Sequence, residues 1–311
     1  MWYGRSPRLN ITKPEFIREI FAKYEVFTKR PPGKKTPFGL VMREGEDWAK
    51  VRRIINPAYD MEKLKNMLPT MEKCCDKMIR KWEEMVATTG SAKVDVYSSL
   101  NALSGDVIAE TSFGSSYEEA GKDTTTSLLT WAMVLLSEHQ DWQSKAREEV
   151  LSRFGKDKTP DYSDINSLTI VNMIINETLR FYPPVSSLSR IIHTNTKLKQ
   201  LTLLNGMEVN MPTIMVHRDQ ELWGDDANEF NPNRFSEGVV NATKVPGSFI
   251  PFGGGPRICI GKNFALIEAK LALTKILQHF SFELSPSYVH APMCLAAMVP
   301  QFGAPLILYQ V

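Results

Sequence analysis

The chain is expected to fold as a mainly α-helical domain with a small β region. Three observations carry that expectation. Long stretches repeat apolar residues at helical spacing, as in Leu64, Met67, Leu68, Met71, Cys75, Met78, Trp82 and Met85. Segments that read as strands are short and few, near 7–12, 188–193, 198–204, 207–211 and 304–310. No internal repeat or low-complexity run interrupts the 311 residues, which are read as a single domain, 1–311.

In chain order, helices are expected over 14–24, 46–55, 60–87, 99–112, 117–137, 142–153, 167–181 and 259–280. In the second, Trp48 and Arg52 stand one turn apart on one face. The stripe from Leu64 to Met85 gives the third a core-facing side, which is packing and not a cofactor box. Gly114 can end the fourth, and Ser115 with Glu118 forms a capping box that starts the fifth near Tyr117. Leu168, Val171, Ile174, Ile175 and Leu179 give the seventh its period. That helix sets Glu177 and Arg180 three apart, where they can pair. The last, an amphipathic run to Phe280, comes after a glycine-rich loop.

Composition removes several function classes. A net charge of +2 gives no electrostatic case for nucleic acid. Four cysteines, two of them adjacent (Cys74 and Cys75), make no disulfide framework and suit a reducing compartment. No apolar run approaches a membrane span and no signal peptide is visible. Asn10, Asn176 and Asn241 head glycosylation triplets by chance, since Asn176 lies inside a packed helix. His139, His193, His279 and His290 are scattered without metal-ligand spacing. His217-Arg218-Asp219 lacks the other kinase signatures and reads as structural.

The chemistry concentrates in Phe252-Gly253-Gly254-Gly255-Pro256-Arg257-Ile258-Cys259-Ile260-Gly261. A phosphate loop is excluded, because Pro256 replaces the required glycine and Asn263 the required Ser or Thr. A dinucleotide fingerprint is excluded by glycine spacing. What remains is a recipe for a thiolate. Glycines let the backbone approach a flat ligand, the next helix presents its N-terminus to the sulfur, and Arg257 adds a cation.

Phe-x-x-Gly-x-Arg-x-Cys-x-Gly resembles the haem-binding signature of the cytochrome P-450 family at every fixed position. The resemblance implies haem b as cofactor, Cys259 as iron ligand, Arg257 as a propionate partner and Phe252 packed beside the thiolate, with Gly261 closing the motif. It extends along the chain. Glu177-x-x-Arg180, with Pro183-Pro184 just beyond it, resembles the family's helix ending in a proline pair, and Arg234 would complete a structural ion-pair triad. Trp48-x-x-x-Arg52 resembles the family's propionate-binding helix, with Arg190 a further propionate partner. Ala120 to Thr125 resembles the oxygen-activation motif, which gives Asp123 and Thr124 proton delivery. Stretches such as Asn56-Pro57-Ala58-Tyr59 and Phe280 to Tyr288 are similar to the plant microsomal branch of secologanin synthase-like, terpenoid-oxidising enzymes.

The activity that this resemblance implies is that of a monooxygenase acting on a lipophilic small molecule with O2. A NADPH-cytochrome reductase would supply electrons, and the address would be the cytosolic face of the endoplasmic reticulum membrane. Substrate contacts would come from Val185 to Leu188 and Leu295 to Val299, and Lys50, Arg53 and Lys262 could meet the reductase. The chain starts where relatives have already passed their membrane anchor.

An internal block is also expected to be missing. Trp48 and Thr124 lie 76 positions apart, where the family has on the order of a hundred more residues, well outside ordinary loop variation. The seam falls at Glu119–Ala120. The P-450 fold would then be incomplete, without its roof helices and half of its distal helix. A second expectation is therefore a truncated, non-catalytic product that binds haem without turnover or does not fold.

Overall fold

The structure is a computed structural model that describes residues 2–3, 6–30, 39–113, 123–156 and 158–311. Its helices are α1 (Pro14–Ala22), α2 (Gly45–Ile55), α3 (Met61–Ala87), α4 (Val96–Phe113), α5 (Asp123–Glu138), α6 (Gln140–Phe154), α7 (Tyr162–Ser167), α8 (Thr169–Phe181), α9 (Thr213–Val216), α10 (Gln220–Trp223) and α11 (Lys262–His279). Its strands are β1 (Trp2–Tyr3), β2 (Ser6–Asn10), β3 (Phe27–Thr28), β4 (Ser91–Asp95), β5 (Leu188–Ile192), β6 (Thr196–Leu198), β7 (Leu201–Leu203), β8 (Glu208–Met211), β9 (Phe280–Leu284), β10 (Pro292–Cys294), β11 (Met298–Pro300) and β12 (Pro305–Gln310).

The core is helical and centres on α11. The expected amphipathic run is instead buried all round, from Ile267 to Gln278, because α3, α5, α6 and α8 all pack on it. Even a lysine within that stretch is enclosed: Lys275 Nζ sits 3.0 Å from Asp76 and donates to Thr159 Oγ1 at 2.8 Å. The α3 stripe faces this core with one correction. Met85 is exposed, and Cys74, Ile79 and Val86 are buried in addition to the expected positions.

Strands form a five-stranded sheet ordered β1-β2-β8-β5-β3 and a three-stranded sheet ordered β4-β12-β9. The segment 198–204 is no single strand. It is one arm of the β6–β7 hairpin, turned at Lys199 with φ +50°. Strands β3, β4, β9, β10 and β11 lie outside the expected strand segments, and distant partners hold them, as where Leu306 pairs with both Val94 and Leu284. The seam at Glu119–Ala120, with Gly114, Ser115 and Glu118, lies outside the described residues; the expected fifth helix is described from Asp123 onward.

One buried cation organises the segment between α8 and the cysteine loop. Arg180 and Glu177 have fully buried side chains and pair through two contacts of 2.7 Å. Arg180 also donates to the carbonyls of His217, Ala227 and Glu229. Arg234 joins less closely than expected. Its Nε is 3.5 Å from Glu177, and its main partner is Asp226, at 2.7 Å. His217 is structural, as its sequence context implies: Nε2 accepts the Ile250 amide at 2.9 Å. Burial, reinforced by the charge of Arg180, pushes its imidazole down to about 3.

Arg180→Met should destabilise the chain by about 3–5 kcal/mol in urea unfolding, since it strands a buried carboxylate; a loss under 1 kcal/mol would refute this role. For His217, folding holds the ring neutral while the unfolded chain protonates it. Stability should therefore fall by about 1.4 kcal/mol per unit as pH drops from about 6.5 toward about 3. His217→Gln, which keeps an acceptor, should show a correspondingly flatter profile across that window.

Candidate functional site

The cysteine loop is built on α1. A Cβ at Gly254 would lie 2.5 Å from the Phe21 ring, and one at Gly255, with φ +63°, would lie 2.4 Å from the Phe21 carbonyl. These glycines thus permit a close approach to a helix, where the sequence suggested approach to a ligand. The loop closes when the Cys259 amide donates to the Phe252 carbonyl at 3.0 Å. Arg52, on α2, donates to the Ile258 carbonyl at 2.9 Å and so braces the residue before the cysteine.

Beyond this loop lies a cavity of about 470 Å³. Trp48, Arg52, Arg190, Phe252, Arg257, Cys259, Gly261 and Thr124 all line it, so residues from four distant stretches of sequence meet there. Leu128 of α5, Leu179 of α8 and Phe264 of α11 supply apolar wall, and Ser104 and Ile108 of α4 close one side. The thiol of Cys259 is exposed to this space. Asp123 opens α5 next to Thr124, with its side chain outside what is described, and Thr124 is exposed on the first turn. Of the expected substrate segments, Val185 and Leu188 reach the cavity. Leu295 to Val299 are not among its lining residues. Leu295 points to solvent, and Met298 is tied to α5, its carbonyl accepting from Ser127 Oγ (2.6 Å) and Trp131 Nε1 (2.8 Å).

Electrostatics depart from the simple thiolate recipe. Burial dominates and raises the Cys259 thiol above its ordinary value; the Gly261 amide, Arg52 and Lys29 pull the other way. Arg257 is not the cation acting on the sulfur. Its guanidinium lies 4.5 Å from the Trp48 ring centre, pairs with Glu44 and donates to the Arg43 carbonyl at 2.7 Å, leaving a buried Nη1 without a partner. Sequence reasoning missed Lys29 and Glu44, which lie outside any motif. It also missed Glu268, a buried carboxyl on the cavity wall whose burial raises it to about 8 and keeps it neutral at pH 7. Four cations, Lys29, Arg52, Arg190 and Arg257, thus surround an apolar space, with Glu44 paired to Arg257 at its edge. That is the donor set for a flat apolar group with anionic edges.

Comparison with known proteins agrees with this set. The family model for cytochrome P450 matches residues 1–120 and 119–301. The chain belongs to the cytochrome P450 family. Cytochrome P450 CYP72A219 of Panax ginseng is 38% identical over 419 residues, covering 99% of this chain and 81% of its own length. Cytochrome P450 72A397 of Kalopanax septemlobus is 40% identical over 100% of this chain and 80% of its own. The 7-deoxyloganic acid hydroxylase of Catharanthus roseus is 39% identical over 100% of this chain and 81% of its own. As a cytochrome P450, the chain is an oxidoreductase, a monooxygenase of small molecules that uses O2, a haem cofactor and electrons from a reductase. No helix among the described residues is long and apolar enough to cross a membrane.

The balance at the sulfur can be read in the haem-free P450. Alkylation of Cys259, monitored by mass spectrometry across pH, should have a midpoint above that of a model thiol. Arg52→Ala should move it higher, by removing a cation that favours the thiolate. A midpoint near neutrality would show that the helix N-terminus outweighs burial.

Proposed function

We propose that this P450 hydroxylates a lipophilic, terpenoid-like molecule at the cavity above Cys259, whose sulfur would hold the iron of haem b. The observation that carries the reading is Cys259 on the floor of an apolar cavity that Lys29, Arg52, Arg190 and Arg257 also line. Bound haem supplies dioxygen activation, which no side chain here can provide. The protein's part is positional. Arg52, Arg190, Arg257 and Trp48 hold the propionates, Phe252 packs beside the sulfur, and Gly261 donates its amide toward it. Cys259 would hold the metal as a thiolate, although burial favours its neutral form without one. Thr124 lines the far wall, where the resemblance gives it proton delivery together with Asp123. Val185 and Leu188 orient the substrate, while Leu128 and Phe264 exclude water. Hydroxylation as the reaction is supported by the Catharanthus roseus relative, a 7-deoxyloganic acid hydroxylase. Electrons would come from NADPH through a NADPH-cytochrome reductase at the exposed Lys50, Arg53 and Lys262, on the cytosolic face of the endoplasmic reticulum.

A second reading has its own observations. The family model matches in two pieces that meet at residues 119–120, and the alignment with the ginseng relative runs over 419 positions for a chain of 311. Both support an internal deletion that takes the pocket's roof and half of the distal helix. Thr124 accordingly stands in the first described turn of α5, and α4 serves as wall. With an open distal face, water enters and oxygen is reduced futilely, so this single truncated domain would hold haem with little or no turnover.

The carbon monoxide difference spectrum of the reduced, haem-supplied chain tests both. A strongly red-shifted Soret band, absent in Cys259→Ala, is expected. No band, or one unchanged in the variant, would overturn the haem-thiolate assignment. With the band present, NADPH consumption without hydroxylated product would identify the truncated reading, and coupled turnover would defeat it.

A further inference from the structure

We propose that Trp131, Tyr182, His290 and Tyr288 form a relay that carries oxidising equivalents from the haem cavity to the protein surface. The proposal rests on the haem reading above. It comes from four side chains that meet behind the cavity wall and that the haem site does not use. Leu128 of α5, and Leu179 and Pro184 on either side of Tyr182, line the cavity. Trp131 lies one turn beyond Leu128 and is fully buried. Its ring stacks on that of Tyr182, with centroids 4.4 Å apart and planes 17° from parallel. The Tyr182 hydroxyl meets His290 Nε2 at 3.0 Å, and His290 Nδ1 meets the Tyr288 hydroxyl at 2.9 Å. His290 is exposed and Tyr288 half-buried, so the line ends at solvent.

Packing alone would explain the stacked rings, but not a continuous polar line through both nitrogens of one imidazole. Trp131 and Tyr182 touch closely enough to exchange an electron, and the proton decides where the lost electron is felt. Trp131 Nε1 donates to the Met298 carbonyl at 2.8 Å, an acceptor that takes no proton. The Arg218 guanidinium, 5.4 Å from the Tyr182 ring centre, makes a positively charged ring there costly and can itself only donate. His290 is the base in reach. In the tautomer protonated at Nδ1, Tyr182 donates to Nε2, and Nδ1 donates to Tyr288. When oxygen is reduced with no substrate in place, an oxidising equivalent is left in the cavity. One electron passes to it from the stacked pair. The Tyr182 O–H bond breaks, its proton moves to Nε2, and a neutral phenoxyl radical remains. Tyr288 then reduces that radical by one electron, Tyr182 recovers its proton from Nε2, and Tyr288 releases its own phenolic proton to water. In sum, Tyr288 loses one electron and one proton, and the cavity oxidant gains the electron. A soluble thiol returns a hydrogen atom to Tyr288 and resets the relay.

The test mixes the full, haem-loaded ferric chain with hydrogen peroxide and no substrate. Radicals are read by freeze-quench electron paramagnetic resonance, and a nitroso spin trap marks their positions for peptide mass spectrometry. Wild type should give a tyrosyl radical and a trap adduct on Tyr288. Tyr182→Phe and His290→Phe both keep Tyr288, and both should lose most of that adduct; Trp131→Phe should reduce it. Tyr288→Phe should hold the radical on Tyr182. Tyr182→Phe should also bleach the haem faster than wild type, because the oxidising equivalent stays in the cavity. The carbon monoxide difference spectra of the Tyr182, His290 and Tyr288 variants should match wild type, since these side chains do not line the cavity. A Tyr288 adduct undiminished in both Tyr182→Phe and His290→Phe would show direct attack by diffusible oxidant and overturn the relay while the haem reading stands. So would the absence of any adduct on Tyr288. If wild type shows no thiolate band with carbon monoxide, the haem reading fails and takes this proposal with it.

Discussion

The cavity depends on how Arg180 is satisfied. A guanidinium has five N–H donors, and a fully buried one must place them all. Here two go to Glu177 on the same helix, and the rest to the carbonyls of His217, Ala227 and Glu229. A charge that would be prohibitive alone therefore fixes an irregular stretch with little regular secondary structure of its own. From there the constraint passes on. His217, held by its carbonyl, accepts the Ile250 amide through its ring; the Ile250 carbonyl accepts from Gly253; and the Phe252 carbonyl accepts from Cys259. The sulfur is thus tied to α8 through a short series of hydrogen bonds, each needing the one before it.

Against that rigid frame the cavity is electrostatically unfinished. Three arginines and a lysine converge there, and among the described residues Glu44 pairs with Arg257 alone of them, while burial weakens the hydration that normally makes such crowding tolerable. The sulfur shows the same tension. Its surroundings favour the neutral thiol, although the nearest helix terminus and cations favour the anion. Both strains have one remedy, a group that carries a metal at its centre and negative charge at its edge. The side chains that make the site costly without its ligand are those that would hold the ligand.

Legibility in the sequence tracked the range of the interaction. Glu177 and Arg180 could be read because their pairing is set by one turn of helix. The cysteine loop could be read because ten consecutive residues define it. Lys29 and Glu44 could not, since their importance comes from β3 meeting β5 and from Arg257 arriving over two hundred positions later in the chain. Asp226 was hidden for a similar reason: a surface-type residue becomes the main partner of Arg234 only once the segment folds back. Of the strands missed, β4 and β9 both pair with β12, and β9, although Phe280, Phe282 and Leu284 alternate with polar residues, is hidden because Phe280 reads as the end of the preceding helix. Two local readings were misdirected by what lay beyond them. Gly254 and Gly255 make room for Phe21, and α11 has no solvent face because four helices surround it.

The two halves of the cavity have unequal support. The proximal half, with its sulfur, arginines and α11, is tied to the core through Arg180 and through burial on every side of α11. The distal half rests on the first described turn of α5, where Thr124 is exposed although Thr125 and the residues after it are buried. Thr124 thus meets the cavity from an exposed position, whereas the cysteine loop is tied to buried groups. Capturing a haem demands only the proximal half. Holding a substrate in register above it demands both, and so haem binding should be the more durable property of this chain.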